Sequence, residues 1–184
     1  VPYTLAHQLN PTVREYRRTS ATAIDASLKP IMQGYMHALK TRLTAAGHQL
    51  ADRGITPDDR PSIVARLRGW IADPQVDVIL TTGGTGLTGR DVTVEAHREV
   101  YEKEIEAFGT VFTIVSMQKI GTSAVQSRAT GGVAGGTYLF ALPGSPGACR
   151  DAWDDILAFQ LDSRHRPCNF VEIMPRLDEH LRRK

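Results

Sequence analysis

A chain of 184 residues is the size of one domain with room for a tail, so a two-domain enzyme with separate cofactor and substrate halves is not expected. Hydrophobic residues make up 41% and charged residues 23%, so the chain can bury a substantial core and is not a disordered polymer. Its 22 Lys and Arg against 20 Asp and Glu leave a net charge of +2, scattered except at residues 14–18 and the last three, so nucleic acid is not an expected partner.

Residues 1–30 show no sustained apolar period and read as an irregular N-terminal segment. The domain proper is expected over 31–175 and a basic tail over 176–184. Met32, Tyr35, Met36, Leu39 and Leu43 share one helical face, predicting a helix over 31–46 that ends on Gly47 in a left-handed cap. Residues 48–55 can form a short strand. Pro57-Asp58-Asp59 then opens a helix carrying Ile63, Leu67, Trp70 and Ile71 on one face, with Asp58 or Asp59 as its cap. Residues 76–80 are the most strand-like run and lead at once into Thr81-Thr-Gly-Gly-Thr-Gly86.

Val94, Tyr101, Ile105 and Phe108 predict a third helix whose other side, with Glu95, Glu99, Glu102, Glu104 and Glu106, reads as a solvated face. A short helix is expected over 112–120 and a turn over 131–136. Residues 137–142 form a second buried strand that ends in Pro143-Gly-Ser-Pro-Gly147. Cys149, Ala152, Trp153, Ile156 and Leu157 then mark a fourth helix. Strands that end in glycine loops feeding helices predict a single three-layer α/β/α domain with a mostly parallel sheet and a cleft at the strands' carboxyl ends.

Gly83, Gly84 and Gly86 leave backbone N–H groups unshielded, which suits a phosphate, although a plain tight turn has the same composition. The loop is not a Walker A motif, and Gly84 to Gly89 fits the dinucleotide fingerprint of an oxidoreductase poorly. Thr81, Thr82 and Thr85 add hydroxyls. Asp91 is either a helix cap or a Mg²⁺ anchor beside the phosphate, and Asp58 a second such ligand or the cap of its helix. Pro143, Gly144 and Ser145 bring donors to the neighbouring strand end. Ser127 and Arg128 could hold a phosphate or carboxylate, or form a surface ion pair. His48, His97, His165 and His180 show no metal-ligand spacing and none is assigned to catalysis. Cys149 and Cys168 are too far apart for a metal clip or redox pair. With no long apolar run and no signal-peptide pattern, a cytoplasmic protein without a membrane partner is expected.

Thr81-Thr-Gly-Gly-Thr-Gly-Leu-Thr-Gly-Arg-Asp-Val-Thr93, Phe108-Gly109, Ile120-Gly-Thr-Ser123, Gln126-Ser-Arg128, Leu142-Pro-Gly-Ser145 and Arg166-Pro-Cys-Asn-Phe170, in that order, resemble the molybdenum cofactor biosynthesis protein B family. That family is related to the Mog-type molybdopterin adenylyltransferases and the gephyrin G domain. The resemblance spans about residues 34 to 170 and implies a molybdopterin-binding α/β/α fold assembled as a homotrimer or homohexamer. It implies transfer of AMP from Mg-ATP to molybdopterin, or, alternatively, molybdopterin binding without catalysis. Thr82, Gly83, Gly84, Thr85 and Gly86 would hold the substrate phosphate, Asp58 and Asp91 would act in catalysis and hold Mg²⁺, and Ser127, Arg128, Pro143, Gly144 and Ser145 would lie near the pocket. Nothing between Asn10 and Gln33 matches the family's first strand. Another segment in its place, an incomplete site or a change of reading frame would each account for that.

Overall fold

A computed structural model of the chain describes residues 37 and 39–179. They belong to two compact units divided between Leu50 and Ala51. In the first, residues 39–45 are helical (α1) and end at Gly47, whose φ of +89° is the left-handed cap expected there. The Gly47 amide bonds Thr44 O and the His48 amide bonds Leu43 O, each at 3.0 Å, closing the last turn. The part of the expected helix before residue 37, and the whole 1–30 segment, lie outside the described residues.

The strand expected over 48–55 does not form: the backbone is irregular and Ile55 is 96% exposed. Asp52 instead accepts the Trp70 indole N–H at 2.7 Å, so the start of the second unit is held by a side chain where a ladder was expected. Helix α2, Arg60–Ile71, begins where Asp59 accepts the Ser62 amide at 2.9 Å and Pro61 occupies its first turn. Asp59 is therefore the cap, which leaves Asp58 for another role.

Strand β1, Val78–Thr82, leads through the glycine loop to helix α3, Thr93–Val100. The long helix expected through Phe108 breaks at Tyr101, whose ψ of 133° is extended. Lys103–Glu104 (β2) then pairs with the next strand, and Glu106–Ile120 is one helix, α4, which absorbs the short helix expected over 112–120. Glu99, Glu102, Glu104 and Glu106 are exposed, as a solvated face requires, with surface pairs from Glu99 to Arg60 at 2.7 Å and from Glu104 to Arg98 at 2.8 Å.

The turn expected over 131–136 is mostly strand. Strand β3, Thr130–Ala134, is wholly buried, and only Gly135 and Gly136, at φ +57° and +86°, make the two-residue hairpin to β4, Thr137–Leu142. Gly131 and Gly132 are bare because their Cβ positions are filled, the first by the Phe140 and Phe108 rings and the second by the Tyr101 ring. The sheet runs β1-β4-β3-β2 and is mixed, where a mostly parallel one was expected: β1 lies parallel to β4, whereas β3 runs antiparallel to both β4 and β2, because a hairpin joins β3 to β4.

Ile79, Ala134 and Leu139 pack from one face against Ile63, Val64 and Leu67 of α2 and Ala96 of α3. On the opposite face Phe140 meets Phe108 of α4, centroids 4.8 Å apart, and Tyr138 meets Phe170 at 4.9 Å. Helix α5, Pro146–Ala152, lies on that second face and continues through a wide turn over Trp153–Leu157, which buries the predicted Trp153, Ile156 and Leu157. These are the three α/β/α layers expected. A last short helix, Phe170–Ile173 (α6), is capped by the buried Asn169. No helix among the described residues is long and apolar enough to cross a membrane.

Candidate functional site

Parallel strands β1 and β4 end side by side, and their two glycine loops meet there. The Gly83 amide bonds Leu142 O at 3.1 Å, and the Thr82 hydroxyl donates to Pro143 O at 3.0 Å. A Cβ at Gly144 would stand 3.2 Å from Gly83 Cα, so the loops press backbone to backbone. Ser145 accepts the Ala148 amide at 3.2 Å and so caps α5, while the buried Cys149 thiol bonds Pro143 O at 3.0 Å. Pro143, Gly144 and Ser145 thus shape the second loop against the first.

Gly83 and Gly84 have φ of +99° and +64°, the left-handed region that glycine alone adopts at little cost. The turn carries Gly84 O to the Thr93 amide at 2.9 Å, tying the loop to the first turn of α3. Among the described residues, the amides of Gly84 and Thr85 have no acceptor in the chain. The hydroxyls of Thr85, 3% exposed, and of the buried Thr93 have no hydrogen-bond partner there either. Buried polar groups are rarely left so, and a cluster of them marks a place for an anion or water.

Two carboxylates flank this cluster. The position a Cβ would take at Gly84 lies 3.7 Å from Asp58 Oδ1, and that at Gly86 lies 2.8 Å from Asp91 Oδ2. Asp58 has no partner among the described residues, since Asp59 does the capping. Asp91 is not the cap of α3: its Oδ2 accepts the Thr88 amide at 2.8 Å and hydroxyl at 2.6 Å, closing the turn before the helix. The Thr88 hydroxyl and amide, with the Gly86 amide and Arg128, hold the Asp91 carboxyl below the usual carboxylate range. No group of three or more His, Cys, Asp or Glu gathers to hold a metal among the described residues. A cation here would complete its shell with the oxygens of a phosphate ligand, a chemistry that suits Mg²⁺.

Arg128 lies against the glycine loop, its guanidinium donating to Thr85 O and Gly86 O. With Arg98, Glu104, Thr110 and Thr113, Ser127 and Arg128 also line a cavity of about 460 Å³. The Arg128 guanidinium is turned onto the chain itself and pairs with Glu95 at 2.6 Å. The helical period places Glu95 on a solvated face, and its side chain is half-buried against Arg128, a pairing that the local sequence does not reveal.

His97 also went unassigned. It is fully buried, its Nε2 lies 2.8 Å from the Thr81 hydroxyl and its Nδ1 3.1 Å from the Tyr101 hydroxyl. Burial pushes its pKa down to about 4, so the ring is neutral and holds Thr81 at the loop's root. Thr93 was visible only as the last residue of the glycine motif, and the site-facing position of its hydroxyl follows from the turn.

The family profile described as Probable molybdopterin binding domain matches residues 33–163. Molybdenum cofactor biosynthesis protein B of Escherichia coli strain K12 is 49% identical over 134 residues, 73% of this chain and 79% of the relative. A crystal structure of molybdenum cofactor biosynthesis protein B superposes with a TM-score of 0.68 at 37% identity, covering 79% of this chain and 84% of the other. The molybdopterin biosynthesis enzyme MoaB of Thermus thermophilus does so with a TM-score of 0.61 at 35% identity, covering 67% and 77%.

Proposed function

This chain belongs to the family of molybdopterin-binding domains represented by molybdenum cofactor biosynthesis protein B, with a role in molybdenum cofactor biosynthesis, and from that premise we propose that it adenylylates molybdopterin with Mg-ATP. In this reaction the terminal phosphate oxygen of molybdopterin attacks the α-phosphorus of ATP. A new P–O bond forms, the bond to the β-phosphate oxygen breaks, and molybdopterin-AMP and pyrophosphate result. The attacking phosphate is already an anion, so no protein base or nucleophile is needed. Such a transfer asks a protein for alignment and charge neutralisation.

The observation that carries the reading is the pair of unpartnered amides at Gly84 and Thr85 with the buried hydroxyls of Thr85 and Thr93, flanked by Asp58 and Asp91. The amides and hydroxyls would hold phosphate oxygens. Magnesium arrives with ATP and offsets the repulsion between phosphates and carboxylates, with Asp58 and Asp91 as its anchors. The reading includes self-association as a homotrimer or homohexamer and a cytoplasmic setting, where ATP is abundant. A second reading, molybdopterin binding without turnover, draws on the commitment of Asp91 Oδ2 to Thr88.

Supplied with molybdopterin, ATP and Mg²⁺, the chain should release pyrophosphate. Asp58→Asn should lower that rate by about a hundredfold or more without changing stability, because Asp58 has no partner among the described residues. Molybdopterin binding without pyrophosphate release from the unaltered chain would establish the second reading and reject the first.

A further inference from the structure

The guanidinium of Arg128 stands against the loop's carbonyls. Its Nε donates to Thr85 O at 3.1 Å and Gly86 O at 3.0 Å, and Nη2 to Asp91 O at 3.3 Å. The fork is filled by Glu95, whose two oxygens take Nη1 at 2.6 Å and Nη2 at 3.3 Å. One side chain thus gathers three carbonyls from both ends of the turn at 85–91 and is itself gripped by a bidentate carboxylate. Only a planar guanidinium has the donors to do this.

Peptide planarity turns this contact into a statement about the loop's other side. In a trans peptide the C=O and N–H point in opposite directions. Drawing Thr85 O and Gly86 O onto Arg128 aims the amides of Gly86 and Leu87 away from it, and the Gly86 amide accordingly reaches the Asp91 carboxylate. Both ends of the clamp sit on well-packed elements. Glu95 precedes Ala96 and His97, which are fully buried on α3. Arg128 precedes Ala129, whose carbonyl lies 2.9 Å from the Cβ position of the bare Gly109 on α4.

We propose that Glu95 and Arg128 are positioning residues of this site, an ion-pair clamp that fixes the turn at 85–91, and with it the Asp91 carboxylate and the Thr85 end of the cradle, beside an anionic phosphate without the clamp touching that ligand. The proposal rests on reading the loop as a phosphate cradle. Glu95→Gln keeps the shape but removes the charge, and Arg128→Lys keeps the charge but removes the fork.

Amide hydrogen exchange in the ligand-free chain and calorimetric titration with ATP and Mg²⁺ test the clamp and the cradle separately. Both variants should exchange about tenfold or more faster at residues 84–91, the scale of a lost charge-assisted hydrogen bond. Protection in β3 and β4 and the melting temperature should stay near those of the unaltered chain. ATP affinity should fall by a similar factor in both variants. Unchanged exchange at 84–91 in both would overturn the clamp, as would a uniform loss of protection that includes β3 and β4. Faster loop exchange with no ATP binding even by the unaltered chain would uphold the clamp and reject Mg-ATP as what the loop serves.

Discussion

A side chain at residue 84 would have nowhere to go. Its Cβ would fall 2.4 Å from the Thr93 hydroxyl oxygen, and the φ of +64° already disfavours any residue but glycine. Gly84→Ala should therefore cost about 2 kcal/mol or more of stability, with ligand binding lost because the Thr93 hydroxyl is displaced. Gly89 makes the control, since no atom lies within 4 Å of its Cβ position. Gly89→Ala should bind as the unaltered chain does, and denaturant unfolding of both variants with parallel titrations would show whether damage follows the contact. At this scale the glycines and Asp91 could be read from the sequence, because a strand running into three glycines and a carboxylate admits few structures. The pairing of Arg128 with Glu95 could not be read, because the two stand 33 positions apart, nor could the role of Thr93, which depends on how the turn from Gly84 folds back.

Whole elements were legible where one local pattern decided them. The short apolar run at 137–142, bounded by glycine turns, becomes the buried strand β4, and Pro57-Asp58-Asp59 leads into α2. The break after α3 was hidden because the apolar period continues past it; what ends the helix is pairing of Lys103 and Glu104 with Val133 and Gly132, a partner the local sequence does not reveal. β3 was hidden for the opposite reason, since its glycines look like a turn until the rings of Tyr101, Phe108 and Phe140 are in place on either side. Helix α3 also brings a titratable group into the core. The folded pKa of His97, about 4, lies below its ordinary 6.5, so the unfolded chain binds the extra proton first. Stability from this group is complete above about pH 6.5 and is lost as pH falls towards 4, by about 3 kcal/mol in all. Urea midpoints at pH 7.5 and 5 should show this slope, and His97→Gln should flatten it between those values. An equal slope in the variant would assign the acid sensitivity to other groups.

At the scale of the whole molecule, helix α4 carries an apolar face that its own packing leaves exposed. Helix α4 packs Phe108, Phe112 and Ser116 inward, yet Val111, Ile114, Met117 and Ile120 recur every third residue on its exposed side, with Ile114 53% exposed. Val125, just beyond the helix, is 73% exposed. A helix apolar on nearly every side is normally covered on every side, and a row of large hydrophobics left in water marks a contact surface. The occupant that fits the proposed homotrimer or homohexamer is the same row on other copies of this chain. Light scattering should then give three or six times the single-chain mass. Ile114→Glu would bring like charges together in that contact and should reduce the particle to one chain while leaving the fold intact, because the residue lies outside the core. A single-chain mass for the unaltered protein would remove this account of α4, and a variant that stays assembled would place the contact on another face.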